Sequence, residues 1–240
     1  MPTIADRLND VRSRIDAAAR SAGRDPSSVR LVAVSKTFPA AVVEEACRAG
    51  YHDFGENRVQ EALPKMDSIR GLPIRWHLLG HLQTNKARRA AAAFAMIHSV
   101  DRLELLQKVD AAAVDAGASP ELLIQIDLAG EAAKSGVPPA DASRLLEAAA
   151  SLRAARVVGL MTLPPLPDVP DDSRRWFRQL RGLRDGWLSA GAPPAMLREL
   201  SMGMSGDFEV AVQEGATIVR VGTAIFGDRP QAQRSKAFEL

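Results

Sequence analysis

Short apolar runs rich in Val, Ile and Leu alternate along the chain with longer stretches whose apolar positions recur every three or four residues. An apolar run of roughly four to eight residues bounded by turn residues marks a strand buried on both faces, while the longer period marks a helix with one apolar stripe. Eight runs of the first kind are found, at 31–37, 52–57, 75–81, 95–100, 122–128, 156–163, 197–205 and 217–226. Helical stretches at 40–49, 83–93, 102–116, 141–153 and 173–190 lie between them, each able to cover a sheet from outside. The alternation predicts an α/β fold, a (β/α)8 TIM barrel of parallel strands.

Residues 3–22 read as an additional N-terminal helix, with Ile4, Leu8, Val11 and Ile15 on one stripe and Gly23 just past its end. The proline-rich stretch 163–170 has the length of one βα connection, so no domain boundary is placed there. The expectation is a single domain over 1–240, with residues 1–23 packing on the barrel.

At 240 residues the chain has the length of one such barrel, and 46% hydrophobic with 25% charged residues is ordinary globular composition. Thirty-one Lys and Arg against 29 Asp and Glu leave a charge of +2, too balanced for a face built to bind nucleic acid. The single cysteine, Cys47, cannot form an internal disulfide and reads as a buried helical thiol. No apolar signal core opens the chain and no run of about 18 apolar residues occurs, so neither secretion nor a membrane span is expected and the cytoplasm is the default location.

Chemistry concentrates at the C-terminal ends of the predicted strands, the face where barrels carry their sites. The first strand is apolar until it delivers Lys36. A desolvated lysine there loses its proton readily and can form a Schiff base with an aldehyde; a lysine whose head simply reaches solvent is the alternative. In the last strand Arg220 interrupts an apolar run and shares a face with Ile218 and Gly222. Buried there, it serves either a ligand or a core carboxylate. Gly222 and Thr223, together with the turn Ser201-Met202-Gly203-Met204-Ser205-Gly206, supply small and hydroxyl-bearing residues suited to a phosphate cradle, as they would suit ordinary loops. Asn57 either contacts a ligand ring or caps a helix. His77 and His81 have a zinc-like spacing, but on a strand their rings start roughly 13 Å apart, so no metal is assigned. His52 and His98 read as hydrogen-bonded structural residues, and Lys134-Ser135-Gly136 as either a polar rim or a solvated loop.

Taken in order, several motifs resemble one family, the pyridoxal phosphate homeostasis proteins, which look like the barrel half of alanine racemase. They are Val34-Ser35-Lys36-Thr37, Phe54-Gly55-Glu56-Asn57 with Val59-Gln60-Glu61, Trp76-His77, Gly80, Leu82-Gln83, Asn85-Lys86, Lys134-Ser135-Gly136, Gly159-Leu160-Met161, Ser201 to Ser205 and Val219 to Gly227. By that resemblance Lys36 carries pyridoxal 5′-phosphate as an internal aldimine, and Ser201, Gly222 and Thr223 hold its phosphate. Arg220 faces the pyridine nitrogen, Asn57 the ring's other polar edge, and Met204 belongs to the same cofactor-binding set. The departures, Asp127, Ala129 and Gly130, fall on the rim.

Two functions fit these residues. One is a non-enzymatic cofactor handler that buffers pyridoxal phosphate and passes it to apo-enzymes, working as a monomer. The other is an amino-acid racemase, which needs a second proton acceptor across from the lysine. In racemases of this fold a tyrosine on an extra β-domain supplies it. The chain as given has no such domain, and its one tyrosine, Tyr51, opens the second strand at the far end, so little racemase or transaminase turnover is expected. A phosphate-binding barrel without pyridoxal is the third reading.

Overall fold

The structure, a computed structural model, describes residues 2–130 and 135–228. Its strands β1 (Arg30–Val34), β2 (Asp53–Glu56), β3 (Arg75–Leu78), β4 (Met96–Val100), β5 (Glu121–Ile126), β6 (Arg156–Thr162), β7 (Glu199–Ser201) and β8 (Ile218–Val221) form a closed barrel in sequence order. All pairs are parallel, and β8 returns to β1 with Val32 opposite Arg220. Helices α1 (Ile4–Ser21), α2 (Ala40–Arg48), α3 (Val59–Ser68), α4 (Ala87–Ala93), α5 (Leu103–Ala116), α6 (Pro139–Ala149), α7 (Arg174–Ser189), α8 (Phe208–Gln213) and α9 (Thr223–Phe226) complete the described elements.

The strand period of two sorts the core into two layers. Leu31, Ala33, Phe54, Leu122, Ile124 and Val219 point outward into the large layer beneath the helices. Val32, Met96, Leu123, Val158, Met161 and Ile218 fill the barrel's interior. The first helix starts at a capping box: the Asp6 amide donates to Thr3 Oγ1 at 3.1 Å, and the Thr3 amide donates to the Asp6 carboxylate at 2.8 Å. Its predicted stripe is buried, and it packs on α8 and α9, where Arg7 Nε donates to the Ile225 carbonyl. At the other end of the barrel Asp110, on α5, accepts the amides of Arg153, Ala154 and Ala155 at 2.9–3.1 Å and fixes the entry to β6.

Most predicted strands end before their expected bound, two of them by four residues or more. The run expected at 217–226 stops at Val221, and Thr223–Phe226 turns into α9, where the Phe226 amide donates to the Gly222 carbonyl at 2.9 Å. Its apolar residues are buried as a helical turn, which a short apolar run does not distinguish from a strand. The run expected at 197–205 is a strand only over Glu199–Ser201, because Gly203 takes φ +92° and turns the chain. Three helices, α3, α8 and α9, carry no prediction. Pro64 interrupts the pattern of the first, and the other two are too short to show a period. Among the described residues no helix is long and apolar enough to cross a membrane.

Candidate functional site

The ends of β1, β2, β3, β6, β7 and β8 surround a cavity of about 430 Å³, within the range of small-molecule sites. Lys36, Asn57, Met204, Arg220, Gly222 and Thr223 all line it, together with Ser205 and the apolar side chains of Phe38, Leu79, Leu163 and Leu166. A groove of about 510 Å³ beside it, formed by Pro165–Asp172 and the start of α7, is a surface trough whose Asp171 and Arg174 pair with each other at 2.7 Å.

Lys36 sits half-buried in the turn that follows β1. The next residue, Thr37, has φ +71°, a left-handed conformation that costs a β-branched residue about 1–3 kcal/mol. Beneath the turn Ser35 Oγ donates to Glu56 Oε1 at 2.7 Å, and Lys65 Nζ donates to Glu56 Oε1 and to the Ser35 carbonyl at 2.5 and 2.9 Å. Glu56 is fully buried, so α3, through Lys65, clamps the end of β1 to the end of β2. Glu56 carries no expected role from its motif, although a carboxylate ending an apolar strand needs a partner.

Arg220 projects from β8 into the barrel, 4% exposed, with Nη1 donating to Ser201 Oγ at 2.6 Å and Nη2 to the Thr162 carbonyl at 2.9 Å. Burial lowers its pKa to about 10, with Asp207 pulling the other way, so it stays a cation at neutral pH. None of its hydrogen bonds goes to a carboxylate, and its position on the cavity wall favours the ligand-facing alternative.

Ser201 stands elsewhere than expected. It is fully buried beneath the cavity, with its hydroxyl between Arg220 and His98 Nδ1 at 2.9 Å, and it does not line the cavity wall. Because β7 ends there and the chain turns at Gly203, the hydroxyl that reaches the rim is that of Ser205. Ser205 Oγ accepts from the amides of Gly222 and Ala224 at 3.2 and 3.4 Å, where an anion's oxygen would find the same donors. A β-carbon at Gly222 would lie 3.2 Å from the Val34 carbonyl oxygen, so its small size lets β8 close tightly on β1.

Asn57 does not cap α3, whose N-cap is Arg58; it faces the cavity instead. A β-carbon at Gly80 would lie 2.2 Å from the Asn57 carbonyl oxygen, so only glycine lets the end of β3 approach there. The Met204 amide donates to Asp207 Oδ1 at 2.7 Å, and Asp207 Oδ2 accepts from Ser173 Oγ at 2.7 Å, which holds the turn after β7 in place. His98 is a buried, hydrogen-bonded residue as expected, and Cys47 a buried helical thiol whose pKa burial pushes up. His81 is at the rim, near Ser135 Oγ (2.9 Å), and Lys134 lies outside the described residues. Among the described residues no three His, Cys, Asp or Glu side chains are placed to hold a metal.

A parallel barrel with a lysine after β1, an arginine on β8 and an amide-lined turn beside it defines a class of protein. The family model "Alanine racemase, N-terminal domain" matches residues 7–230. Within that class the relatives are more particular. Over 230 residues the chain is 46% identical to the pyridoxal phosphate homeostasis protein of Pseudomonas aeruginosa, covering 95% of this chain and 97% of that one. The protein of the same name from Aquifex aeolicus is 43% identical over 224 residues, 93% of this chain and 97% of its own. The solved structure of PipY of Synechococcus elongatus with PLP bound superposes with a TM-score of 0.83 at 43% identity, covering 94% of this chain and all of that one. The chain belongs to the pyridoxal phosphate homeostasis proteins of the alanine racemase N-terminal domain family.

Proposed function

We propose that the cavity binds pyridoxal 5′-phosphate covalently through Lys36, and that the protein buffers this cofactor in the cytoplasm as a monomer and releases it to apo-enzymes. The convergence of Lys36, Arg220, Ser205, Gly222 and Thr223 on one cavity supports the reading most directly. The kinship with proteins named for pyridoxal phosphate homeostasis, and with one solved with PLP bound, supports it independently. When bound, the cofactor supplies an aldehyde that condenses reversibly with an amine and a ring that withdraws electrons.

The residues divide the work. Lys36 offers its amine at the mouth, on a turn held by Ser35, Glu56 and Lys65. Ser205 and Thr223 hydroxyls and the Gly222 amide take the phosphate, a group that charge-assisted hydrogen bonds hold well. Asn57 meets the ring's polar edge, and Met204 packs beside it. Arg220 has only donors and a permanent charge, so it disfavours a proton on a ring nitrogen placed against it. The ring is then a weak electron sink, which suits storage better than turnover.

The experiment is an absorption spectrum of the purified protein followed by borohydride reduction and peptide mapping. A visible band that Lys36→Ala abolishes, with the label on the Lys36 peptide, is the expected result. A colourless protein that takes up no added pyridoxal phosphate, or a label on another peptide, overturns the assignment.

A further inference from the structure

Five polar side chains on five strands form one unbroken chain through the barrel interior. Arg220 Nη1 donates to Ser201 Oγ at 2.6 Å, Ser201 Oγ lies 2.9 Å from His98 Nδ1, His98 Nε2 lies 3.0 Å from His77 Nδ1, and His77 Nε2 lies 2.9 Å from Asp53 Oδ1. The residues sit on β8, β7, β4, β3 and β2, so the chain crosses from the cavity to the opposite rim, where Asp53 opens its strand. His77, His98 and Ser201 are fully buried, and Asp53 is 21% exposed in its side chain.

The two ends dictate the direction of every proton. A guanidinium only donates, and an ionised carboxylate only accepts. With Asp53 ionised and both imidazoles neutral, His77 must carry its proton on Nε2 and accept at Nδ1. His98 must then carry its proton on Nε2 and accept at Nδ1 from the Ser201 hydroxyl, which in turn accepts from Arg220. All four bonds are made, and all point from Arg220 to Asp53.

The charges around the chain favour these protonation states. Burial, the largest cause, holds His77 and His98 below the ordinary histidine range, His98 far below it. At His77 the bond to Asp53 and its charge pull upward without overcoming burial and the Arg30 and Arg75 charges, and at His98 the Arg220 and Arg30 charges add to burial. Burial acts to raise Asp53, while its hydrogen bond to His77 and the charges of Arg75 and Arg30 act to lower it, and its pKa lies below the ordinary value. Asp207 is the acid that faces Arg220 at the other end.

We propose that Asp53, His77, His98 and Ser201 are positioning residues for Arg220: a one-way relay that fixes the guanidinium against the cavity and couples its charge to a carboxylate on the far rim. The ring that Arg220 meets rests on the function proposed above; the relay itself is a property of the protein without ligand. Hydrogen bonds in such a chain polarise one another, and a chain anchored by opposite charges holds its orientation better than a serine alone.

The test is histidine and arginine 15N NMR on the cofactor-free protein. At pH 6 both histidines are expected as neutral Nε2–H tautomers, and the Arg220 Nη resonances as those of a guanidinium in restricted rotation. Either histidine as Nδ1–H or as imidazolium overturns the relay. Asp53→Ala should scramble the His77 tautomer and Asp53→Asn, whose Oδ1 still accepts, should restore it; unchanged tautomers in Asp53→Ala overturn the assigned direction. In protein loaded with pyridoxal phosphate, Asp53→Ala should loosen binding several-fold and shift the visible band's pH profile, with Asp53→Asn recovering the affinity. An intact relay in the free protein with no change in either reading on Asp53→Ala overturns the positioning role. A colourless wild type instead overturns the cofactor reading and leaves the relay to the NMR arm.

Discussion

Removing the Ser205 hydroxyl or the Thr223 hydroxyl should each weaken the hold on the cofactor's phosphate. Ser205 Oγ lies 3.2 and 3.4 Å from the amide nitrogens of Gly222 and Ala224, so it stands where phosphate oxygens would enter the same donor set. A hydrogen bond to a charged group contributes about 1.5–3 kcal/mol, which corresponds to roughly 10- to 150-fold in affinity. The covalent bond to Lys36 would mask part of such a loss, so the variants are best made in a Lys36→Ala background. Equilibrium dialysis with pyridoxal phosphate then reads the non-covalent term alone. Ser205→Ala and Thr223→Val are both expected to fall in that range, and Ser205→Thr to retain most of the affinity. If neither removal changes the dissociation constant, the phosphate binds elsewhere and the cradle is wrong.

Acidification should destabilise the fold before any carboxylate titrates. Since His77 and His98 have folded pKa values depressed by burial, the unfolded chain binds more protons below about pH 6.5, and stability falls from there downward by up to about 1.4 kcal/mol per pH unit for each. Urea midpoints at pH 7 and pH 5 should therefore differ, and equal midpoints would contradict buried neutral histidines. Asp110→Ala strands three backbone amides and should cost about 2–4 kcal/mol, with Asp110→Asn costing less; calorimetry checks both. Incubation of the loaded protein with L-alanine in deuterium oxide should show α-proton exchange far slower than the order of 1 per second typical of enzymes. Exchange at that rate, followed by NMR, would make a racemase the better reading.

The fold was legible wherever an element was long enough to show its period. Eight inward-and-outward runs separated by amphipathic stretches have few solutions other than a closed parallel barrel, and the observed strand order is that one. The failures are short elements. Phe208–Gln213 places Val210, Ala211 and Val212 in succession, all buried, and at six residues it is too short to show a helical period, yet it forms α8. Ala224, Ile225 and Phe226 continue the apolar run of β8, and nothing local marks the change at Gly222 from strand to helical turn.

The site divides along the same line. That Lys36 and Arg220 reach the cavity was legible because a charge at the end or in the middle of an apolar strand must be paired or functional, and the strand period assigns its face. Ser201 was misplaced because residues 201, 203 and 205 share one parity, and only the positive φ of Gly203 decides which hydroxyl reaches the rim. His77, His98 and Ser201 each carry a separate expectation, as a rejected zinc ligand, a structural histidine and a phosphate contact, and Asp53 carries none. Once eight strands are known to close, a stronger inference is available. Every inward polar side chain lies in a space shut off from water and must find its partner among the other inward polar side chains. Aligning the strands by inward parity leaves few such groups, and their donors and acceptors balance only when read together, from a cation on β8 to an anion on β2.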